Sequence, residues 1–126
     1  MKSQKFSLIS RLKRFKHAIN GIKVLIKEEH NARVHFVMAF LTIFAGFYLS
    51  VSLIEWAILI GVIVLVIVLE IINSAIENLC DFVSPNKHHL IKKVKDLAAA
   101  AVLISALGAV VIGLIIFIPK IQLLFN

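Results

Sequence analysis

Three long apolar stretches, separated by short polar segments, dominate the chain. They cover residues 34–54, 55–80 and 97–118, and the second is uncharged from Trp56 to Leu69. Each is long enough for a membrane-spanning helix, which needs about 20 residues. Their apolar residues run continuously and do not alternate with polar ones, which disfavours a β-barrel. The pattern therefore predicts three transmembrane helices.

A different helical pattern precedes the first span, over residues 11–29. Its apolar side chains recur at spacings of three and four, and lysines and arginines occupy the opposite face. A basic amphipathic helix of this kind lies in the membrane interface, either as an anchor alone or as a floor that helps to close a site. The predicted fold class is thus an all-α integral membrane protein, with an N-terminal amphipathic surface helix and three transmembrane helices in one domain, 1–126.

Composition supports a membrane protein, and the distribution of charge gives an orientation. Hydrophobic residues make up 60% of the 126 positions, more than a water-soluble chain of this length would bury. Most lysines and arginines precede residue 34 or lie between the second and third spans, so both regions are predicted to be cytoplasmic. A basic face beside anionic lipid accounts for the net charge of +7, and no nucleic-acid partner is predicted.

Acidic residues are few and unevenly placed. Six of the seven fall on the predicted cytoplasmic side, namely Glu28, Glu29, Glu70, Glu77, Asp81 and Asp96. Glu70 and Glu77 share one helix face about 10 Å apart along the axis, with Asn73 between them. A polar stripe in a spanning helix is costly against lipid. It either joins helices by hydrogen bonds or forms a functional site, and the neighbouring acid clusters favour the site.

The residue types of these clusters indicate phosphate chemistry. Glu29 and Glu77 are hard oxygen ligands suited to Mg²⁺. Glu70 lies deeper, where it could take a proton from a group inside the bilayer. Lys95 and Asp96 stand at the predicted start of the third span, and a helix N-terminus attracts phosphate. Together they make phosphoryl transfer to a lipid plausible, although no glycine-rich nucleotide loop is present.

Three motifs carry a resemblance to a known family. They are "EIINSAIENLCD" at 70–81, "EEHNAR" at 28–33 and "KVKDLAAAAV" at 93–102. On these residues the sequence resembles the prokaryotic diacylglycerol kinases, a family that includes the undecaprenol kinases. The resemblance covers nearly the whole chain, with the same three spans in the same order.

The resemblance implies a homotrimeric, multi-pass kinase of the bacterial inner (plasma) membrane. It would use ATP with Mg²⁺, and its active sites would lie between subunits on the cytoplasmic side. Glu70 matches the family's general base, in contact with the lipid alcohol. The implied nucleotide-binding set is Glu29, Asn73, Glu77, Lys95 and Asp96. Within that set, Glu29 and Glu77 match the metal-binding carboxylates.

Two departures from the Gram-negative branch bear on the substrate. Ala99 stands at a substrate-binding position where that branch has a serine, and His35 stands where it has a carboxylate. Loss of a hydroxyl beside the lipid favours undecaprenol as acceptor, with diacylglycerol still open. A small proton- or cation-coupled transporter is the alternative function, because buried glutamates also suit a proton relay. The concentration of acids on one side disfavours that alternative.

Overall fold

The structure, a computed structural model, describes residues 8–126, which form four helices and contain no strand. These are α1 (Leu8–Glu28), α2 (His30–Tyr48), α3 (Leu53–Val83) and α4 (His89–Leu124). The last three are long and apolar enough to cross a membrane. The predicted class, an all-α protein with three candidate spans after an N-terminal helix, is confirmed. Residues 1–7 of the predicted domain lie outside the described residues.

The helices do not begin and end where the apolar stretches do. Helix α2 ends at Tyr48, so residues 49–54 of the first predicted span form a turn and the first residues of α3. Helix α4 begins at His89, well before residue 97. Hydropathy marks the residues that suit lipid, whereas capping groups and turns decide where the backbone leaves the helix.

A break of one residue, Glu29, separates α1 from α2. Its backbone is extended, with φ −109° and ψ 110°. Arg33 Nη2 donates to the carbonyl oxygen of Lys27 at 3.0 Å across the break. Leu25 and Ala32 on either side are buried, so this corner packs against the bundle. The other large apolar side chains of α1 are exposed. The position of that helix at a membrane surface stays a prediction.

The turn between α2 and α3 is held by a capping box at the opposite end of the bundle. Ser52 Oγ accepts a hydrogen bond from the backbone N–H of Glu55 at 3.2 Å, and Glu55 Oε1 accepts one from the N–H of Ser52 at 2.9 Å. Lys120 Nζ lies 3.0 Å from the same Glu55 oxygen. The start of α3 and the end of α4 are therefore tied together.

A small apolar core lies beside this turn. Val51, Leu59 and Ile116 are buried and contact the partly buried Trp56. The indole of Trp56 packs against Gly46 of α2, where a Cβ atom would lie 2.6 Å from Trp56 Cη2. Small residues allow membrane helices to approach closely, and Gly46 provides that approach between α2 and α3.

Replacing Gly46 by alanine should therefore destabilise the protein. The added methyl group would clash with a packed ring, at a cost of roughly 1–3 kcal/mol in the free energy of unfolding. Unfolding of the purified protein in detergent would measure the loss. Gly61→Ala in α3 is the matched control, because its Cβ would enter open space. Equal stability of the two variants would contradict the proposed contact.

Candidate active site

The polar stripe on α3 faces the interior of the bundle at two of its positions. Glu70 is 3% exposed and Ser74, one turn later, is 9% exposed. Asn73 and Glu77 are partly buried. The expectation that a carboxylate in this helix turns away from lipid is confirmed for Glu70.

Glu29 reaches this stripe from the break between α1 and α2. As the residue before α2 it could cap its own helix, but its side chain makes no capping hydrogen bond. Instead its Oε1 accepts a hydrogen bond from Ser74 Oγ at 3.2 Å. Ser74 lies four residues after Glu70 and three before Glu77, on the same side of α3. The fold thus brings the carboxylate of Glu29 to a level between the two glutamates of α3.

Asn73 joins the site through its amide group. Its Nδ2 donates to Glu77 Oε1 at 3.4 Å. Its Oδ1 is buried and has no hydrogen-bond partner among the described residues. Leaving a buried acceptor unpaired costs about 1–3 kcal/mol, so this oxygen is available to a cation or a donor that enters the site.

His35 of α2 is the polar neighbour of Glu70. Its Nε2 lies 3.4 Å from Glu70 Oε2, and its side chain is 21% exposed. Sequence reasoning noted His35 as a departure from a family pattern but assigned it no contact. No pattern in the sequence indicated the contact, which follows from the antiparallel register of α2 and α3 that also brings Glu29 beside Ser74.

Lys95 and Asp96 make separate ion pairs at the end of the stripe. Lys95 Nζ donates to Asp81 Oδ1 of α3. Asp96 Oδ2 accepts from Lys92 Nζ at 2.6 Å within α4. Although adjacent in sequence, the two side chains have different partners.

The expectation that Lys95 and Asp96 mark a helix N-terminus is wrong. Helix α4 begins at His89, and the Nδ1 of His88 accepts a hydrogen bond from the backbone N–H of Leu90 at 3.1 Å. Since this cap starts the helix, Lys95 and Asp96 lie nearly two turns inside it. They can act on phosphate through their side chains, but not through free backbone N–H groups.

These ion pairs border a cleft of about 480 Å³. The loop between α3 and α4 forms one wall, and the charged residues Asp81, Lys92, Lys95 and Asp96 are part of the remaining lining. Its volume is within the range of small-molecule sites. Ala99, exposed on α4, lies three residues beyond Asp96. Because Lys92 and Lys95 are paired with Asp96 and Asp81, a phosphate group in the cleft would compete with these carboxylates for the two lysines.

A second cavity, of about 420 Å³, lies between α2, α3 and α4. Its lining is apolar apart from His35 and Thr42, and it extends along α4 as far as Ile121. We call it the apolar groove. Because His35 lines this groove and also contacts Glu70, the buried carboxylate lies next to one part of an apolar cavity.

The donor groups would fit a magnesium ion that takes its remaining ligands from phosphate and water. Among the described residues, no three His, Cys, Asp or Glu side chains converge on one metal position. Ser74 nevertheless lies three residues before Glu77 and is hydrogen-bonded to Glu29, and the amide of Asn73, whose oxygen has no partner among the described residues, contacts Glu77 through its nitrogen. Mg²⁺ is commonly bound by one or two carboxylates together with substrate phosphates and water. The residues present match that pattern.

Comparisons with known proteins identify the family of the chain. The family profile described as prokaryotic diacylglycerol kinase matches residues 16–117. The undecaprenol kinase of Bacillus subtilis is 39% identical over 108 residues, covering 86% of this chain and 88% of that protein. The diacylglycerol kinase of Synechocystis sp. is 34% identical over 106 residues, covering 83% and 61%. That of Escherichia coli is 34% identical over 91 residues, covering 72% and 75%. The chain therefore belongs to the prokaryotic diacylglycerol kinase family, a family of membrane lipid kinases.

Proposed function

We propose that the protein transfers the γ-phosphate of ATP, with Mg²⁺, to the hydroxyl group of a membrane lipid alcohol. The observation that carries this proposal is Glu70, a carboxylate buried in a membrane helix one turn from Ser74, which holds Glu29. The proposal is supported because this carboxylate lies between an apolar cavity and a set of oxygen donors that would suit a metal–nucleotide complex.

In the proposed reaction, Glu70 takes the proton of the lipid hydroxyl group while the oxygen of that hydroxyl group attacks the γ-phosphorus. The bond between the γ-phosphorus and the oxygen that bridges to the β-phosphate breaks, and ADP leaves. Most of the catalytic effect in such transfers comes from positioning and charge stabilisation. The burial of Glu70 suits this role, because it excludes water that would otherwise compete with the alcohol.

Glu29, Glu77 and Asn73 would hold the metal end of the nucleotide. Bound Mg²⁺ would neutralise charge on the phosphate oxygens during transfer. Ser74 supports this arrangement by keeping Glu29 against α3, and Asn73 supports it through its contact with Glu77. Lys95 and Asp96, which line the cleft, would contact the rest of the nucleotide.

Undecaprenol is the acceptor that we propose, with diacylglycerol as the second candidate. Ala99 has no hydroxyl with which to contact a glycerol headgroup, and the Bacillus subtilis relative is named an undecaprenol kinase. We further propose a homotrimer in the bacterial inner membrane with its sites on the cytoplasmic side. The positive charge near α1 and the 84–95 region supports this orientation.

The direct test is phosphate transfer by the purified protein in mixed lipid micelles. Labelled ATP and magnesium are supplied with undecaprenol or diacylglycerol in parallel, and the lipid phosphate is quantified. Faster transfer to undecaprenol is expected. A preference for diacylglycerol would correct the acceptor, and transfer to neither would overturn the proposed reaction.

Glu70→Gln should nearly abolish turnover, because the amide cannot accept the proton. A loss of at least about 100-fold in kcat is expected, with ATP binding and the unfolding transition retained. The matched control is Glu55→Gln at the other end of α3, which should turn over like the unaltered protein. Substantial turnover by the Glu70 variant at saturating ATP would show that another group is the base.

Glu29→Gln and Glu77→Gln should raise the magnesium concentration needed for half-maximal rate. A shift of about 10- to 100-fold is expected, since even outer partners of a metal produce losses of that size. Glu28→Gln is the matched control, because Glu28 is exposed at the end of α1. Magnesium titrations of the rate would distinguish them, and identical titration curves for Glu28 and Glu29 variants would remove Glu29 from the metal site.

A further inference from the structure

We infer that His35 is a positioning residue that orients the carboxylate of Glu70 for proton transfer. The inference rests on the proposed function, because it concerns the base of that reaction. His35 lies on α2 and is not part of the polar stripe on α3.

The contact between the two side chains is the first observation. His35 Nε2 lies 3.4 Å from Oε2 of Glu70, whose side chain is 3% exposed. Among the described residues, no other side chain lies within ion-pair or hydrogen-bond distance of that carboxylate. The terminal torsion of a glutamate is broad and roughly two-fold, so an unpartnered carboxylate rotates easily. His35 limits that rotation by placing an imidazole nitrogen beside one of the two oxygens.

This contact gives the two carboxylate oxygens of Glu70 different roles. With Oε2 facing the imidazole, Oε1 is left to receive the proton of the alcohol. In the transfer, the O–H bond of the alcohol breaks, its proton passes to Glu70, and the new P–O bond forms as ADP leaves. His35 takes no part in this proton transfer, so no further reactant is needed.

The position of His35 in the apolar groove is the second observation. Of the two polar side chains that line the groove, Thr42 already donates its hydroxyl proton to the carbonyl oxygen of Met38 at 2.7 Å. His35 is therefore the polar group where the groove meets the base. A lipid chain in the groove would bring its hydroxyl towards the imidazole and the carboxylate together.

The test compares His35→Gln with His35→Asn. Both variants carry an amide N–H donor, but the glutamine is one methylene longer and extends about as far as Nε2, whereas the asparagine falls short. His35→Gln should keep kcat within about 3-fold, and His35→Asn should lower kcat by about 10- to 100-fold, the cost of a misplaced reacting group. The KM for ATP should not change in either. Val37→Ala, exposed on the same helix and outside the groove, is the control.

The expected difference in kcat depends on the length of the side chain at position 35. A general effect on folding would not produce that difference. Equal kcat values for the two variants, whether high or low, would overturn the positioning role, as would a higher kcat for His35→Asn. A change confined to the KM for ATP would also overturn it. Unfolding transitions measured beside the rates show that both variants are folded when compared.

Failure of the inference is distinguishable from failure of the proposed function. If the unaltered protein phosphorylates a lipid alcohol and the two variants do not differ, only the role of His35 is lost. If the unaltered protein phosphorylates none, the proposed reaction is wrong and the role of His35 falls with it.

Discussion

A carboxylate inside a membrane helix has to be shielded from hydrocarbon, and Glu70 imposes this requirement on the arrangement of α2 and α3. Exposure of a charged group to lipid is costly, so the face of α3 that carries Glu70 and Ser74 must pack against another helix. Helix α2 provides that cover, with His35 beside Glu70 and Glu29 hydrogen-bonded to Ser74. The packing that protects the carboxylate is also what assembles the site.

The two ends of the bundle are built from different interactions. At one end, the capping box of Ser52 and Glu55, the ion pair with Lys120 and the contact of Trp56 with Gly46 join α2, α3 and α4. At the other end, helices are joined by single polar contacts, and a cleft opens between α3 and α4. A tightly packed end can hold the helices in register, while the polar end keeps its donors available for a ligand.

Much of the apolar surface of the single chain is exposed, as suits a protein whose solvent is lipid. Large side chains along α2, α3 and α4 remain uncovered, and the buried core beside the turn is small. In a bilayer, burying such side chains between helices brings little hydrophobic gain, so close packing and polar contacts decide how the helices associate. The few contacts at Gly46, Ser74 and Lys95 are therefore important for the association of the helices, although most residues of the helices are apolar.

Sequence patterns were sufficient to predict the class of the fold and the residue types of the candidate site. Continuous apolar runs require spanning helices, because lipid cannot satisfy an exposed backbone, and the spacing of Glu70, Asn73 and Glu77 places them on one face of any helix. Motif residues also sufficed to identify the family. None of this depends on how one helix lies against another.

The contacts between side chains of different helices could not be predicted from those patterns. Hydropathy extended the first predicted span past Tyr48 and began the third at residue 97. The caps Ser52 and His88 were missed because a single capping residue hardly changes the mean hydropathy of a segment. The pairing of Lys95 with Asp81, and of His35 with Glu70, depends on the register between helices far apart in sequence. Periodicity describes one helix at a time, whereas a site shared by α2, α3 and α4 depends on how those helices pack.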